Sequence, residues 1–470
     1  MSTSSAPGGI RQEQMLLEVR RKVYMRSVSG VFARWRWILV WFTQVLFYGL
    51  PWLNWNGRQA VLFDLAARKF HIFGLILYPQ DFIYLTGLLI ISAMSLFLFT
   101  TVAGRLWCGY ACPQTVYTEI FMWIERRIEG DRARRMKLDA AGFSSRKLRL
   151  KVAKHAAWIA VALWTGLTFV GYFTPIRSML GQLFSLSLGP WQTFWILFYG
   201  FATYGNAGFL REQVCKYMCP YARFQGVMFD RDTWIITYDP GRGEPRGARS
   251  RKSGSAGKGD CVDCSLCVQV CPTGIDIRDG QQYECIGCAA CIDACDQVMQ
   301  KVGSPQGLIR YDTLNGMEQG WSRAQLWRRV FRPRVLVYSV ILLSVTGILF
   351  GHILTRTPVK VDVMRDRGAL SREVKNGVIE NVYQVMLINS AEFERSFDLS
   401  VQGLPGMRID SERRVTVPGA SNRVVAVRVR SEPDSGETGS NPVQFVVRAA
   451  DDPTVVQTAK TSFFLPEQIQ

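Results

Sequence analysis

Beyond Leu354 the chain contains neither cysteine nor histidine, and its 470 residues include only 3 histidines in all. That last stretch therefore cannot carry a disulfide or a thiolate metal site, and nothing in it looks catalytic. The histidines themselves, His71, His155 and His352, have no second ligand within sequence range, so each reads as structural. Charge is missing from five apolar runs, 37–53, 82–103, 156–173, 191–209 and 335–354. Since about 20 helical residues cross a bilayer, each run is long enough or nearly so. An acidic balance is absent too: 56 Lys+Arg face 38 Asp+Glu, a net charge of +18. From residue 355 onward 15 basic residues face 15 acidic ones, so the whole excess lies among the apolar runs. That distribution is one of membrane topology, and it argues against nucleic acid as a partner.

Cysteine is concentrated instead in the middle of the chain. Residues 261–272 read CVDCSLCVQVCP and residues 285–296 read CIGCAACIDACD, so CxxCxxCxxxC occurs twice. Three closely spaced thiolates wrap one iron-sulfur cube while the fourth reaches away to a second. The crossed pattern assigns Cys261, Cys264, Cys267 and Cys295 to one 4Fe-4S cluster, and Cys285, Cys288, Cys291 and Cys271 to the other. Zinc would want two separated CxxC pairs, and a disulfide framework a secreted setting. Pro272 follows the first run as in bacterial ferredoxins; Asp296 stands where a second proline is usual, without touching a ligand. Between the halves, Ile275 and Ile277 alternate, which predicts a short strand beside the clusters.

The remaining chain frames this module. Residues 1–36 are basic, with Arg20, Arg21, Lys22, Arg26, Arg34 and Arg36, and read as a cytoplasmic tail. Segments 1–36, 104–155 and 210–334 carry 7, 12 and 18 Lys/Arg, against 3 and 1 in loops 54–81 and 174–190. Five crossings would then place the amino terminus and every cysteine inside, and the region after Leu354 outside, in the periplasm of a Gram-negative cell. Loop 54–81 holds an amphipathic stretch, 61–70, and a run too short to span, 72–78, both expected in the membrane interface. The Gly-, Arg- and Ser-rich segment 241–259 reads as a linker able to lie on anionic lipid. Segments 378–388, 397–401, 413–417, 423–430, 444–448 and 455–464 are β-rich, often alternating, and predict a sandwich of immunoglobulin type lacking the usual cysteine pair.

The fold class expected is a polytopic α-helical membrane protein with five transmembrane helices, an inserted dicluster ferredoxin-like α+β module, and a C-terminal all-β immunoglobulin-like sandwich. Its divisions fall at 1–36, 37–240, 241–334, 335–354 and 355–470.

Four cysteines form a second repeat, WCGYACP at Cys108 and Cys112 and VCKYMCP at Cys215 and Cys219. Each CxxxCP box follows an apolar hairpin, so a unit of about 107 residues is duplicated. On a helix, thiols at i and i+4 share a face. Two repeats about a pseudo-two-fold axis would bring four soft ligands together, suited to Cu(I), zinc or iron-sulfur iron, with Met218 as a further thioether. Alternatively these are small buried residues before helix-ending Pro113 and Pro220.

Paired CxxxCP boxes, the segment YECIGCAACIDACDQVMQKVGSPQGLIRYDT and a terminal β-sandwich resemble the CcoG/FixG family, also called RdxA, accessory proteins of cbb3-type cytochrome c oxidase. The resemblance covers the chain from the first apolar run to the end. It implies a cupric reductase of the bacterial inner membrane that converts Cu(II) to Cu(I) for the oxidase or its copper chaperones, and it is compatible with a homodimer; the single-electron chemistry of the clusters is expected to draw on a cytoplasmic electron donor. On that reading Cys108, Cys112, Cys215 and Cys219 hold the copper. The same parts also suit a polyferredoxin relay that oxidises quinol, or a redox-sensing scaffold for oxidase assembly.

Overall fold

The computed structural model describes residues 23–248, 257–366, 368, 370–374 and 377–467; Arg20, Arg21, Lys22 and linker residues 249–256 lie outside the described residues. The chain forms two compact units, Met1–Leu53 with Leu85–Thr346, and Asn54–Tyr84 with Gly347–Gln470.

The helices that matter in the first unit are α1 (Val31–Gly49), α2 (Phe82–Ala103), α3 (Leu106–Tyr110), α4 (Pro113–Glu129), α5 (Ser145–Val170), α6 (Pro190–Gly205), α7 (Pro220–Met228), α8 (Leu266–Gln269), α9 (Ala290–Val302) and α10 (Pro333–Leu354), the first turns of α2 and the end of α10 belonging to the second unit. Among the described residues three helices are long and apolar enough to cross a membrane, Pro79–Ala103, Ser145–Val170 and Pro333–Leu354. The expected number of five is thereby corrected. The first apolar run is the C-terminal part of α1, which starts at Val31 and so takes in Arg34 and Arg36, with Arg36 and Gln44 buried. The fourth forms an α-helix of only 16 residues before its hydrogen bonding widens into a π turn at Asn206–Leu210. At 1.5 Å per residue that is about 24 Å, short of a hydrocarbon core of about 30 Å.

Packing between α5 and α6 depends on a missing side chain, because a Cβ on Gly166 would lie 2.3 Å from the Ile196 carbonyl oxygen. On the other side of α5, Trp158 stacks on Phe121 of α4 at 5.2 Å and donates its indole N–H to the Phe121 carbonyl. Around it Glu125 and Glu129 of α4 meet Lys154, Arg135 and Arg211 in a buried ion network. Each buried charge there has an opposite neighbour, which such burial requires.

The cluster-binding segment is built on α8 and α9 against an antiparallel pair, Ile235–Tyr238 with Ile309–Asp312. Ile236, Tyr238, Ile292, Met299, Leu308 and Ile309 form its core. Ile275 and Ile277 are buried but form no strand, where their alternation predicted one. Gly274 at φ 72° and Gly280 at φ 91° bracket them, and residues Ile277–Asp279 make a 3-10 turn instead.

In the second unit, β1 (Val61–Asp64), β2 (Lys69–Ile72) and β3 (Leu75–Leu77) form a meander, where the sequence predicted an interfacial segment. Ile76 and Tyr78 are buried with Ile388, while Ile72 and Phe73 of the same run stay exposed. The sandwich follows, with β4 (Val359–Arg365), β5 (Ile379–Asn389), β6 (Arg395–Gln402), β7 (Arg408–Ile409), β8 (Arg414–Val417), β9 (Ser421–Ser431), β10 (Gly439–Ala449) and β11 (Val456–Leu465). One sheet runs β7-β9-β5-β4, with Arg372–Glu373 also pairing β5, and the other β8-β6-β10-β11. Tyr383, Val385 and Leu387 of the first sheet meet Phe397, Phe445, Val447 and Phe463 of the second in a shared core. Alternate residues point inward, as period-two strands require. Arg356 and Lys360 both pair with buried Asp81, tying the meander segment to the sandwich. His71 is buried on β2, and burial, then Arg58 and Lys69, hold its pKa below the usual imidazole value. His352 accepts or donates at 2.8 Å with the Tyr84 hydroxyl, a structural role of the kind expected.

Candidate iron-sulfur and thiol site

The eight cysteines of the double run line two cavities. Cys261, Cys264, Cys267 and Cys295 line one, with Tyr238, Arg278 and Met299. Cys271, Cys285, Cys288 and Cys291 line the other, and Cys267 also reaches it. The fourth ligand of each set comes from the opposite run, the crossed arrangement that the spacing implies. Yet no three His, Cys, Asp or Glu side chains among the described residues stand close enough to hold a single metal ion. Thiols that ring a cavity without meeting at a point suit a cube with one ligand per corner and do not suit a tetrahedral zinc. Burial pushes the thiols of Cys285 and Cys295 up to about 12 and that of Cys267 to about 11, and holds Cys291 well above its usual value. Such thiols ionise only if a cation compensates the thiolate, which iron would do. The residues therefore fit two 4Fe-4S clusters.

Local backbone explains how the loops close. Ser265 at φ 52° and Ala289 at φ 59° occupy the left-handed region just before α8 and α9. Gly287, at φ 69°, does so between Cys285 and Cys288, where a residue with a Cβ would be strained.

The CxxxCP boxes take a form that helical spacing did not anticipate. Cys108 lies on α3, but that helix stops at Tyr110, and Cys112 is extended, φ −61° and ψ 129°, just before Pro113 opens α4. Cys215 lies in a π turn, Val214–Met218, and Cys219 is likewise extended, φ −80° and ψ 111°, before Pro220 opens α7. The prolines thus start helices instead of ending them. Proline tolerates the first helical position and forces the residue before it out of the α region.

The two repeats lock together reciprocally. Arg105, just before the first box, donates to the Ala222 carbonyl just after the second. Gln114, just after the first, donates to the Asn206 and Arg211 carbonyls at 2.9 and 3.1 Å, just before the second. The Cys108 thiol donates to Gln225 Oε1 at 3.4 Å. Burial raises Cys108 to about 11 and Cys215 to about 12, and each box's thiols add repulsion to the other's. Burial likewise raises Cys112, which also feels Cys219. All four predicted thiols are therefore neighbours, but not in the geometry of a preformed single-ion site.

Both thiol sets meet at one surface. Cys108 and Cys215 pack against the buried group of Val270, Ile286, Cys288, Ala290 and Ala294. A Cβ on Gly109 would fall 2.8 Å from the backbone of Gly287 and Cys288, and one on Gly287 would fall 3.0 Å from the Arg105 carbonyl oxygen. Farther out, the Asp293 carboxylate accepts from the Phe32 and Ala33 N–H groups at 3.2 and 2.7 Å. An acidic residue inside the second cysteine run thereby caps α1, where exposed N–H groups and the helix dipole favour negative charge. Spacing rules did not find Arg105, Gly109, Gly287 or Asp293; only the glycine inside CIGC carried a local signal.

A helical unit that wraps two cysteine-ringed cavities and presses a duplicated thiol box against one of them defines a membrane iron-sulfur electron-transfer protein. Family profiles for a 4Fe-4S binding domain, a 4Fe-4S dicluster domain and the IG-like fold at the C-terminal of FixG match residues 85–130, 210–314 and 349–466. Nitrogen fixation protein FixG of Rhizobium meliloti is 41% identical over 88% of this chain and 87% of its own length. Protein RdxA of Cereibacter sphaeroides is 40% identical over 87% and 89%, and its Protein RdxB 39% identical over 89% and 90%. The chain belongs to the FixG/RdxA family.

Proposed function

We propose that this protein is a membrane cupric reductase, Cu²⁺ + e⁻ → Cu⁺, whose electron comes from a cytoplasmic reductant and whose product serves assembly of a cbb3-type cytochrome c oxidase, directly or through its copper chaperones. The observation that carries the reading is the packing of the first CxxxCP box, through Gly109, onto the Gly287–Cys288 backbone. It sets the thiols of Cys108 and Cys215 beside the second cysteine-ringed cavity. A bound 4Fe-4S cluster supplies single electrons, the number that Cu(II) requires. The chain's own thiols supply the rest. Reduction moves copper from a preference for nitrogen and oxygen to one for soft sulfur, so Cys108, Cys112, Cys215 and Cys219 would hold the product more tightly than the substrate.

A second reading is favoured by the absence, among the described residues, of a preformed single-ion geometry. In it the chain relays electrons from quinol to a partner and the boxes position the module. We place the cluster-binding segment on the cytoplasmic side and the sandwich on the periplasmic side of the inner membrane, with lipid around the long helices, on the distribution of Lys and Arg.

The test uses Cys108→Ser and Cys215→Ser in detergent-purified protein. Iron content and cluster spectra should match the parent while Cu(I) production from a reduced donor is lost. Full cupric reduction by either variant would refute the copper site and leave the relay.

A further inference from the structure

The two cysteine-ringed cavities differ in charge. Arg278 lines the first, but its guanidinium already pairs with Asp263 at 2.5 Å and Asp276 at 2.7 Å. Asp296 adds a further negative charge beside Cys295. On the second side Arg36 faces Cys288, and its charge is offset by Glu119 at 3.7 Å and by Asp293. Arg105 is different. It shares a cavity with Cys285, Gly287 and Tyr311, and it is 5% exposed. Its guanidinium donates to the Ala222 carbonyl, its Nε has no partner, and no carboxylate pairs with it among the described residues.

A buried cation with no anion is strongly unfavourable, so its compensation must come from something bound beside it. A cube held by four thiolates carries net negative charge, and one unit more when reduced. We propose that Arg105 is the counter-charge of the second cluster, and that it makes this cluster the more easily reduced of the two. The electron then rests next to the CxxxCP boxes. The counterpart of Arg105 in the second repeat, three residues before Cys215, is Glu212, so the charge at this position reverses between the two boxes.

This inference rests on the electron-transfer reading and not on copper. The experiment is an electron paramagnetic resonance redox titration of full-length, cluster-loaded protein in detergent, without copper. Cys295→Ser, which keeps only the second cluster, should show the higher of the two parent midpoints; finding the lower one overturns the proposal. Arg105→Gln should lower that midpoint by at least tenfold in the reduction equilibrium, about 59 mV for one electron, and leave the other in place. Arg105→Lys, which keeps the charge, should stay within about threefold of the parent in that equilibrium, a shift of under about 30 mV. If Arg105→Gln moves neither midpoint, or both together, the assignment is wrong. Should that variant fail to load its second cluster, Gln281→Glu replaces it, placing a carboxylate in the Arg105 cavity. That change should lower the same midpoint by at least threefold, and no shift there also refutes the idea. Protein with the expected midpoints that cannot reduce Cu(II) would instead reject copper alone.

Discussion

Gly109 offers the sharpest structural test. Replacement by alanine puts a methyl 2.8 Å from Cys288 N and from Gly287 C and O, all backbone atoms that cannot swing aside. Carbon needs about 3.5 Å or more from such neighbours, so the box and the cluster loop must part by roughly 0.7 Å. Overpacking of this kind costs about 1–3 kcal/mol. Gly280 separates that effect from backbone strain, because at φ 91° nothing lies within 4 Å of its Cβ position. Gly280→Ala should show only the cost of a backbone conformation essentially confined to glycine, about 1–3 kcal/mol. Gly287→Ala combines the two, with φ 69° and the Arg105 oxygen at 3.0 Å, and should be the worst. The assay is the temperature at which cluster absorbance is lost from detergent-solubilised protein. At about 2–4 °C per kcal/mol for a unit of this size, Gly109→Ala should lose about 2–12 °C. Loss by Gly280→Ala equal to that by Gly287→Ala, with none in Gly109→Ala, would refute the close contact between box and cluster loop.

Further outcomes follow from other parts of the chain. Cys261→Ser and Cys295→Ser should leave one and the same residual cluster spectrum, distinct from that of Cys271→Ser and Cys285→Ser; a match of Cys295→Ser with Cys285→Ser would undo the crossed assignment. A cysteine introduced at Ser435 should label in intact spheroplasts while one at Asp279 stays protected, and equal labelling would overturn the proposed orientation. Burial opposes ionisation of Glu380, but bonds from Arg372 and Arg430 at 2.7 Å keep its pKa below the usual carboxylate value. Its stabilisation is thus present above about pH 4.3 and is lost as pH falls through the depressed folded value, so Glu380→Gln should be less stable near neutrality and less sensitive to acid. Unchanged acid sensitivity by circular dichroism would contradict this.

How much of this was legible in the sequence depends on the range of the interaction. Cluster ligands are local in spacing, and the crossed sets line the two cavities without rearrangement. Sandwich strands announced themselves by alternation; β4 was overlooked, although VKVDVMR alternates, because it follows α10 almost directly. Helix count failed where composition and hydrogen bonding disagreed. Residues 191–209 are apolar enough, but the helix widens at Asn206, while α1 reaches back to include two arginines. The buried arginine in α1 is held by Glu119 and the charge around Cys288, partners more than 80 positions away. No window-based reading finds those. In loop 54–81, Ile76 and Tyr78 lie against Ile388, some 310 residues downstream, a contact no local pattern announces.

The duplicated boxes show where sequence symmetry stops governing function. Spacing makes Cys108 match Cys215 and Cys112 match Cys219, and the extended cysteine before proline is the same in both. At the residue after the first cysteine the match ends, with Gly109 in one box and Lys216 in the other. Gly109 touches the Gly287–Cys288 backbone because it has no side chain, and a lysine in that place could not approach so closely. Three residues before the first cysteine the pair is Arg105 and Glu212, so the charge reverses as well. The departures distinguish the boxes: Gly109 gives the first box its close contact with the cluster loop, and Arg105 brings that box a buried cation beside Cys285. A symmetric pair would present two equal docking faces to one module. The departures from the repeat select one, and exchanging Gly109 with Lys216 should therefore abolish cluster loading in the second cavity while leaving Cys261, Cys264, Cys267 and Cys295 able to hold theirs, with about half the iron of the parent as the measured result.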